Sequence, residues 1–413
     1  MNDKTNFDVI IIGGGIAGSA LAGNLARSGL SVLLLERETK FTDRVRGEWM
    51  APWGVAETKK LHLYDKLMAA GGNHITKAVN YDELLTPEQA LANSMPLDSM
   101  HPDAPGPLCI EHVSIQEIAM QFALDSGALV KCGVKKIVAN AGATPRVEYS
   151  DGGTQFTKTC RLIVGADGRS STVRRQLGLQ LDEREIDHLI SGLLIDGAEG
   201  WPSDVQSLGK AGDVMYLVFP QGGGKIRLYV DYALADRGKY SGEQGARNLL
   251  KAFDTPVLPD GHYIANARPI GPCQAFPSQD ASLDDPYVAG AILIGDAAGY
   301  TDPIFGQGMS IALRDARIVR DLLLGNDDWS VSTFAAYGLE RNERMRRIMR
   351  MTHFATTLFA RFDPQSIENR ARAMQRMAED PKLGAIVACA FTGPEVIPAE
   401  CFTDDYYDRV FAP

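Results

Sequence analysis

Short apolar runs alternate with polar or glycine-rich breaks along the first forty residues. Residues 9–12 are Val-Ile-Ile-Ile, and this β-branched run predicts a strand buried on both faces of a sheet. A glycine-rich turn follows, and small and apolar side chains then recur at helical spacing to about Arg27. A second, mostly apolar run, residues 31–35, predicts another strand. The order strand, helix, strand predicts two parallel strands joined by a crossover helix.

Residues 189–284 follow a different pattern, in which apolar and polar side chains alternate. The alternation is clearest in residues 214–219 and 226–231, which are separated by a proline and three glycines. It predicts a β-hairpin within an antiparallel sheet that has one buried face. Aromatic and arginine side chains make this sheet the best candidate for a wall that faces a substrate. The candidate substrate contacts on the hairpin are Tyr216, Arg227 and Tyr229.

Two more apolar strands end in turns that contain glycine. Residues 162–164 precede Gly165-Ala166-Asp167-Gly168, and residues 288–294 precede Gly295 and Asp296. Beyond residue 325 the pattern is helical to the end. Residues 341–351 interleave arginine with methionine and isoleucine. This predicts a basic surface helix with a packed apolar face, with contact to a membrane surface as the alternative.

The first turn carries the chemistry of a dinucleotide site. Gly13 allows a tight turn, Gly15 lets a pyrophosphate approach the backbone, and Gly18 lets helix and strand pack closely. The helix N-terminus offers unpaired N–H groups and partial positive charge to phosphates. Glu36 ends the second strand, where a carboxylate accepts a hydrogen bond from a ribose hydroxyl. The motif leaves open which dinucleotide binds.

Composition narrows the class of protein. A chain of 413 residues has room for two or three domains, and a net charge of −10 argues against nucleic acid as a partner. The six cysteines show no C-x-x-C pair and no metal-ligand spacing, which favours reduced thiols and no metal. The first strand begins too early for a signal peptide, and no apolar run approaches a membrane span. We therefore expect a cytoplasmic enzyme of open oligomeric state.

Three of these turns, taken together, resemble a known family. The glycine motif with Glu36, the Asp167-Gly168 turn and the Gly295-Asp296 turn are similar to those of single-component FAD-dependent aromatic hydroxylases, the para-hydroxybenzoate hydroxylase-like group. The resemblance extends from residue 8 to about 325. It implies an α/β fold: a Rossmann-like FAD-binding domain with a parallel sheet, interleaved with a substrate domain on an antiparallel sheet, plus C-terminal helices. The implied regions are 1–75, 106–188 and 285–325 for FAD, 76–105 and 189–284 for substrate, and 326–413 for the helices.

The resemblance also implies roles for individual residues. Asp296 would bind the ribityl and pyrophosphate region, and Asp167 would serve both FAD and the nicotinamide donor. The helix that starts near Gly306-Gln307-Gly308 would point its positive end at the flavin pyrimidine edge. Pro303, at the face of the isoalloxazine, and Arg46 are the candidate catalytic residues. The candidate cofactor contacts are Gly13, Gly15, Gly18, Glu36, Arg37, Arg44, Arg46, His112, Asp167, Gly295, Asp296, Gly306, Gly308 and Met309.

The function implied is a monooxygenase. NAD(P)H would reduce FAD, O₂ would form a C4a-hydroperoxyflavin, and one oxygen atom would pass to a small aromatic or polyketide-like substrate. Gly222-Gly223-Gly224 stands where the family clamps a benzoate carboxylate, so we do not expect a benzoate. None of the seven histidines is identified as a base.

Two other flavoprotein classes remain open. Gly47-Glu48-x-x-x-Pro52 resembles an element of flavin-dependent halogenases and geranylgeranyl reductases, and residues 302–305 resemble a halogenase loop. A halogenase needs a catalytic lysine. Lys77 is a candidate, although a surface lysine is the favoured interpretation.

Overall fold

The computed structural model describes residues 4–412 of the chain. The predicted regions 1–75 and 326–413 therefore include residues 1–3 and 413, which lie outside the described part. The strands are β1 Asn6–Ile12, β2 Val32–Glu36, β3 Trp49–Met50, β4 Asn73–His74, β5 Lys77–Ala78, β6 Met95–Pro96, β7 Leu108–Cys109, β8 Leu129–Cys132, β9 Lys135–Asn140, β10 Arg146–Asp151, β11 Thr154–Gly165, β12 Asp182–Glu183, β13 His188–Asp196, β14 Val205–Ala211, β15 Val214–Gly222, β16 Lys225–Ala233, β17 Arg268–Pro269, β18 Gln274–Ser278, β19 Ala281–Ser282, β20 Tyr287–Val288 and β21 Ala291–Leu293.

The α-helices lie between and after these strands. They are α1 Ile16–Arg27, α2 Pro52–Lys60, α3 Tyr64–Ala69, α4 Pro87–Ala92, α5 His112–Asp125, α6 Thr172–Gln176, α7 Gly242–Ala252, α8 Gly261–Ala265, α9 Gly308–Gly325, α10 Val331–Phe359, α11 Pro364–Glu379, α12 Cys389–Thr392 and α13 Asp404–Phe411. Two short 3₁₀ turns, Gly295–Ala298 and Pro303–Phe305, precede α9.

A mainly parallel sheet forms the centre of the molecule, in the order β20-β21-β11-β1-β2-β8. Strand β1 pairs in parallel with β11 and with β2, so that Ile11 lies between Val164 and Leu34. All three side chains are fully buried, which is why the central strands read as continuous apolar runs. Helices α1, α5 and α9 pack together through small and apolar residues beside this sheet. The predicted α/β class with a parallel sheet is confirmed.

The second large sheet is antiparallel except for one short pairing. Its order is β17-β13-β16-β15-β14-β5-β6, and β18 also pairs with β13. The predicted hairpin is β15 and β16, in which Leu217 faces Tyr229 and Tyr216 faces Val230. Because side chains alternate along a strand, these two pairs point to opposite faces. The division of the chain into three regions stays a prediction.

Helix α10 differs from the predicted basic surface helix. Arg341 and Arg344 are buried, 1% and 3% exposed, because both pair with Asp315 of α9. The interleaved arginines thus do not all form a solvated face. Within residues 4–412 no helix is long and apolar enough to cross a bilayer, and no cluster of three or more His, Cys, Asp or Glu side chains is arranged to hold a metal ion.

Candidate active site

A long trough opens at the carboxyl ends of the parallel strands. It consists of a cavity of about 650 Å³ and a neighbouring one of about 520 Å³. Gly15, Arg37, Arg44 and Asp167 line both cavities, so the two form one continuous binding space. We call the smaller cavity the nucleotide end and the larger one the ring end. Open α/β sheets bind their ligands at this edge.

The three motif glycines have distinct mechanical roles. Gly13 has φ +107°, and a Cβ there would overlap the backbone of Ala166. A Cβ on Gly18 would overlap the carbonyl oxygen of Gly13, so helix α1 needs a glycine to pack against the turn. A Cβ on Gly15, in contrast, would meet nothing within 4 Å, and Gly15 lines the trough. Gly15 thus leaves room for a ligand, whereas Gly13 and Gly18 leave room for the protein itself.

Glu36 stands at the nucleotide end, held by backbone groups. The N–H of Gly14 donates to its Oε2 at 2.6 Å, and the N–H of Glu38 donates to its Oε1 at 2.8 Å. Each carboxylate oxygen keeps a lone pair after these bonds. The carboxylate is therefore fixed in place and still able to accept from ribose hydroxyls.

The two predicted aspartates occupy different environments. The Asp167 carboxylate holds the start of α6, because it accepts hydrogen bonds from Ser171 Oγ at 2.5 Å and from the N–H of Thr172 at 2.7 Å. Asp296 lines the ring end and pairs with Arg169 at 3.3 Å. Arg169, which the sequence reasoning did not single out, in turn lies over the ring of Tyr300 at 4.4 Å.

The turn that carries Asp296 is clamped from behind. Arg341 donates to the carbonyl oxygens of Ala298 at 2.9 Å and Gly299 at 3.0 Å, while Asp315 accepts the N–H of Gly295 at 2.8 Å. Burial would raise the pKa of Asp315, but Arg341 and Arg344 outweigh it and lower that pKa. The sequence pattern gave no sign of this clamp, because basic residues on a long helix usually face solvent.

The arginine loop separates its two guanidinium groups. Arg44 bonds Glu38 at 3.0 Å near the nucleotide end, whereas Arg46 lies over the ring of Phe276 at 5.2 Å in the ring end. Burial and the nearby Arg169 lower the pKa of Arg46. Val45 between them has φ +55°, a strained conformation for a β-branched residue. Such strain collects at functional sites.

Pro303 and the start of α9 form one wall of the ring end. Gly306 has φ +61°, and a Cβ on Gly308 would meet nothing within 4 Å. Met309 and the predicted Gly295 line the same cavity. The first N–H groups of α9 therefore border open space, with the partial positive charge of a helix N-terminus.

His112 is also brought to the ring end. Its Nδ1 donates to the carbonyl of Gly47 at 3.1 Å, which leaves Nε2 as an acceptor in the neutral ring. Burial lowers the pKa of His112, although Glu48 opposes this, so the ring stays neutral at physiological pH.

The remaining wall is mainly apolar and aromatic, and its polar side chains are Tyr229, Glu48 and Gln274. Tyr229 donates to Glu48 Oε2 at 2.6 Å, and burial, reinforced by Glu48, raises the pKa of Tyr229. Glu48 was noted in the sequence only as part of a motif. The apolar side chains of this wall are Trp49, Ile190, Leu217, Phe219 and Phe276.

Three candidates lie away from the trough. Tyr216 faces the opposite side of the sheet, packs against Phe253 and donates to the carbonyl of Tyr81, so its expected substrate contact is corrected. Arg227 is 1% exposed and pairs with Asp43 and Glu48, both at 2.8 Å, behind the wall. Lys77 is exposed on β5.

A trough with a carboxylate at one end, glycine turns in the middle and a ring-sized cavity at the other defines a flavin-nucleotide-binding fold. The chain belongs to the FAD-binding domain family, which matches residues 6–352. The predicted FAD cofactor and the suspected family resemblance are confirmed.

Sequence relatives include squalene epoxidase 3 of Arabidopsis thaliana, 27% identical over 325 residues, which cover 77% of this chain and 60% of the relative. Digeranylgeranylglycerophospholipid reductase 2 of Methanococcoides burtonii is 22% identical, with 81% and 79% covered. The chain thus spans about 60% of the length of the plant relative.

Solved structures share the fold over nearly the whole chain. The p-nitrophenol 4-monooxygenase PnpA of Pseudomonas putida superposes with TM-score 0.76 at 17% identity, covering 99% of this chain and 100% of that one. The flavin-dependent brominase Bmp2 gives TM-score 0.73 at 18% identity, covering 98% and 100%.

The residues of the trough fit FAD. Gly15 and Gly308 leave open space at two points along the ring end, and Arg37, Arg44 and Arg46 supply positive charge for a diphosphate. Glu36 offers its carboxylate at the far end, where an adenosine ribose would lie.

Proposed function

We propose that this protein is an FAD-dependent monooxygenase that uses NAD(P)H and O₂ to hydroxylate a small aromatic or polyketide-like compound in the cytoplasm. Bound FAD supplies the redox chemistry: it takes hydride from the nicotinamide and activates O₂. The protein's own residues bind, orient and exclude water. The residues proposed to hold FAD are those listed above from the sequence, with Arg169 added beside Asp296.

The observation that carries the proposal is the composition of the ring end. Pro303 lines this cavity, and so do the aromatic side chains of Trp49, Phe219 and Phe276. Aromatic rings pack favourably against such a wall and keep water from the reacting centre. The Tyr229 hydroxyl donates to Glu48, so its oxygen suits a substrate that carries a phenolic O–H donor.

The size of the ring end supports a small substrate. The isoalloxazine and the substrate would share about 650 Å³, which is within the usual range for one drug-sized ligand. We therefore favour a substrate of one to a few rings over a long isoprenoid chain.

The polar partner of the substrate would be Tyr229 together with Glu48. The Glu48 carboxylate accepts the Tyr229 proton and also pairs with Arg227 at 2.8 Å. A hydroxyl held in this way has a fixed direction, and its oxygen keeps lone pairs that can accept from a phenolic O–H. The arrangement would position a substrate through a neutral hydroxyl.

Squalene epoxidation is the second candidate, favoured by the similarity in sequence to squalene epoxidase 3. Halogenation is weaker. Among the described residues that line the ring end there is no lysine, and Lys77 lies exposed on β5.

The test is a substrate screen with the purified yellow protein. Phenols, polycyclic aromatics and squalene would each be added with NADH or NADPH, in the presence and absence of bromide. Substrate-stimulated NAD(P)H oxidation and a product heavier by one oxygen atom are expected for an aromatic compound. Oxygen transfer to squalene alone, or a product that requires bromide, would replace the proposal with one of the alternatives.

A further inference from the structure

His188 lies fully buried between two aspartates from different parts of the fold. From β13, its Nε2 is 3.0 Å from Oδ1 of Asp231 on β16, and its Nδ1 is 3.8 Å from Oδ2 of Asp302. Asp302 immediately precedes Pro303, and its Oδ1 accepts the N–H of Ile304 at 2.9 Å. The histidine therefore connects the antiparallel sheet to the 3₁₀ turn that forms a wall of the ring end.

Further groups surround Asp302 on its other sides. Thr356 of α10 donates to Oδ2 of Asp302 at 3.3 Å, and Asp280 accepts the N–H of Asp302 at 2.8 Å. Arg184 lies 3.9 Å from Asp280. At the rim of the cluster are the charged groups Asp187 and Arg361, 3.8 Å apart, and the neighbouring His353.

The charges in this cluster depend on His188. Burial alone would lower the pKa of His188, but Asp302 and Asp231 outweigh it and raise that pKa to about 9. Burial raises the pKa of Asp231 to about 6 and that of Asp280 to about 7, and it also raises that of Asp302. At neutral pH the imidazolium is therefore the cation that faces Asp231 and Asp302. Without it, buried carboxylates would face each other unpaired, which is costly in a dry site.

None of these side chains lines the trough, so the cluster acts on the site through the backbone. Thr301, Pro303 and Ile304, the neighbours of Asp302, do line the ring end. A shift of the Asp302 carboxylate would move the cap of the 3₁₀ turn and, with it, the position of Pro303.

We propose that His188 is a positioning residue: its protonated ring holds the Asp302 turn against the antiparallel sheet and so sets where Pro303 stands at the ring end of the FAD site. The inference rests on the FAD site of the family and not on the identity of the substrate. It makes the geometry of the ring end dependent on the protonation of a group that never touches the cofactor.

The first test uses the ligand-free protein, so it does not depend on activity. Hydrogen exchange of a peptide spanning residues 300–307 would be compared between wild type and His188→Gln. The rates would be expressed as protection factors, which correct for the pH dependence of the intrinsic exchange rate. We expect His188→Gln to lower protection of this peptide about tenfold. We expect the same loss in the wild type as pH rises through 9, and no such step in the variant.

The matched control is Asp82→Asn. Asp82 is also buried and pairs with Arg370, but it lines neither cavity. This variant should lower overall stability without a selective loss at residues 300–307. Equal loss of protection across the whole chain in His188→Gln would show a purely structural role and would overturn the proposal.

The second test uses the FAD-loaded protein without any substrate. In the wild type, plots of the visible spectrum and of the midpoint potential of the bound flavin against pH should show an inflection near pH 9. In His188→Gln this inflection should be absent. An unchanged potential and pH profile would contradict the proposal even if the aromatic substrate proves correct. If His188→Gln does not fold, the wild-type pH series decides: protection at residues 300–307 that falls no more than elsewhere between pH 8 and 10 overturns it.

Discussion

Arg341 Nε lies 3.0 Å from Asp315 Oδ2, and this buried pair joins α10 to α9 directly behind the Gly295–Ala298 turn. The same guanidinium donates to carbonyl oxygens of the turn, so one side chain both neutralises a carboxylate and shapes the turn that carries Asp296. Helix α10 thereby supports one edge of the trough, although none of its residues lines the trough.

Replacing Arg341 with methionine should remove the contacts that hold the Gly295–Ala298 turn against α9 and α10. The change leaves Asp315 as a buried charge with one partner fewer, and breaking a buried pair costs about 3–5 kcal/mol. We expect that loss in the free energy of urea unfolding, together with loss of bound FAD on gel filtration. The control is Arg346→Met on the same helix, where Arg346 is 48% exposed and the cost should stay below about 1 kcal/mol. Equal effects at both positions would contradict the proposed role of Arg341 in holding this turn.

Alanine at Gly15 and at Gly18 should have opposite consequences. Gly15→Ala places a methyl group in open space, so the protein should fold normally and bind FAD at least about tenfold more weakly, because the methyl blocks the diphosphate. Gly18→Ala overlaps the Gly13 carbonyl and should cost about 1–3 kcal/mol in stability. Thermal unfolding of the apoprotein and calorimetric FAD titration separate the two effects. A Gly15→Ala protein with wild-type FAD affinity would refute the assignment.

The hairpin offers two tyrosines on opposite faces. Tyr229→Phe should lower kcat/KM for a phenolic substrate by about tenfold or more, because one hydrogen bond is worth about 1–3 kcal/mol when its partner is left unpaired. Tyr216→Phe should leave kcat/KM within about twofold and lower stability by about 1 kcal/mol, since its hydroxyl donates to the Tyr81 carbonyl away from the trough. Steady-state kinetics of the two folded variants would be used to compare their kcat/KM values. A larger kinetic loss for Tyr216→Phe would reverse the assignment of faces.

Stability should fall as the solution becomes alkaline, and His188 should account for part of the fall. Its pKa is raised to about 9 in the folded protein from an ordinary value near 6.5. The folded state therefore holds the proton more tightly, and this stabilisation is complete below pH 6.5 and lost as pH rises through 9. We expect the stability difference between wild type and His188→Gln to shrink by up to about 3 kcal/mol between pH 6.5 and 10.

The difference between wild type and variant must be measured, because the contribution of Lys210 to stability changes with pH in the opposite direction to that of His188. Burial, with Arg370, lowers the pKa of Lys210 to about 8, so its contribution to stability improves as pH rises. Urea unfolding at several pH values provides the data. A wild-type-minus-variant difference that does not vary with pH would show that His188 is neutral in the folded protein.

Much of the fold was predictable because local rules decide it. The β-branched run at residues 9–12 and the glycines after it specify a buried strand, a turn and a helix without help from the rest of the chain. The trough residues at strand ends follow for the same reason. Family resemblance then supplied Pro303 and the start of α9.

What the sequence could not provide depends on long-range contacts. Alternation shows that Tyr216 and Tyr229 lie near each other on a hairpin, but tertiary packing decides which residues of each strand face the trough. Arg341 and His188 resembled ordinary surface and core residues. Only the fold brings their partners, more than twenty residues away in sequence, into contact.

Val45 shows what the arginine loop requires. Its left-handed backbone costs about 1–3 kcal/mol that the surrounding structure must offset. In an extended strand, Arg44 and Arg46 would project side by side; the bend sends one guanidinium toward Glu38 and the other toward Phe276. Two cations spaced along the trough are thus obtained from three consecutive residues. A graft of this loop into another scaffold would have to reproduce the left-handed backbone at Val45.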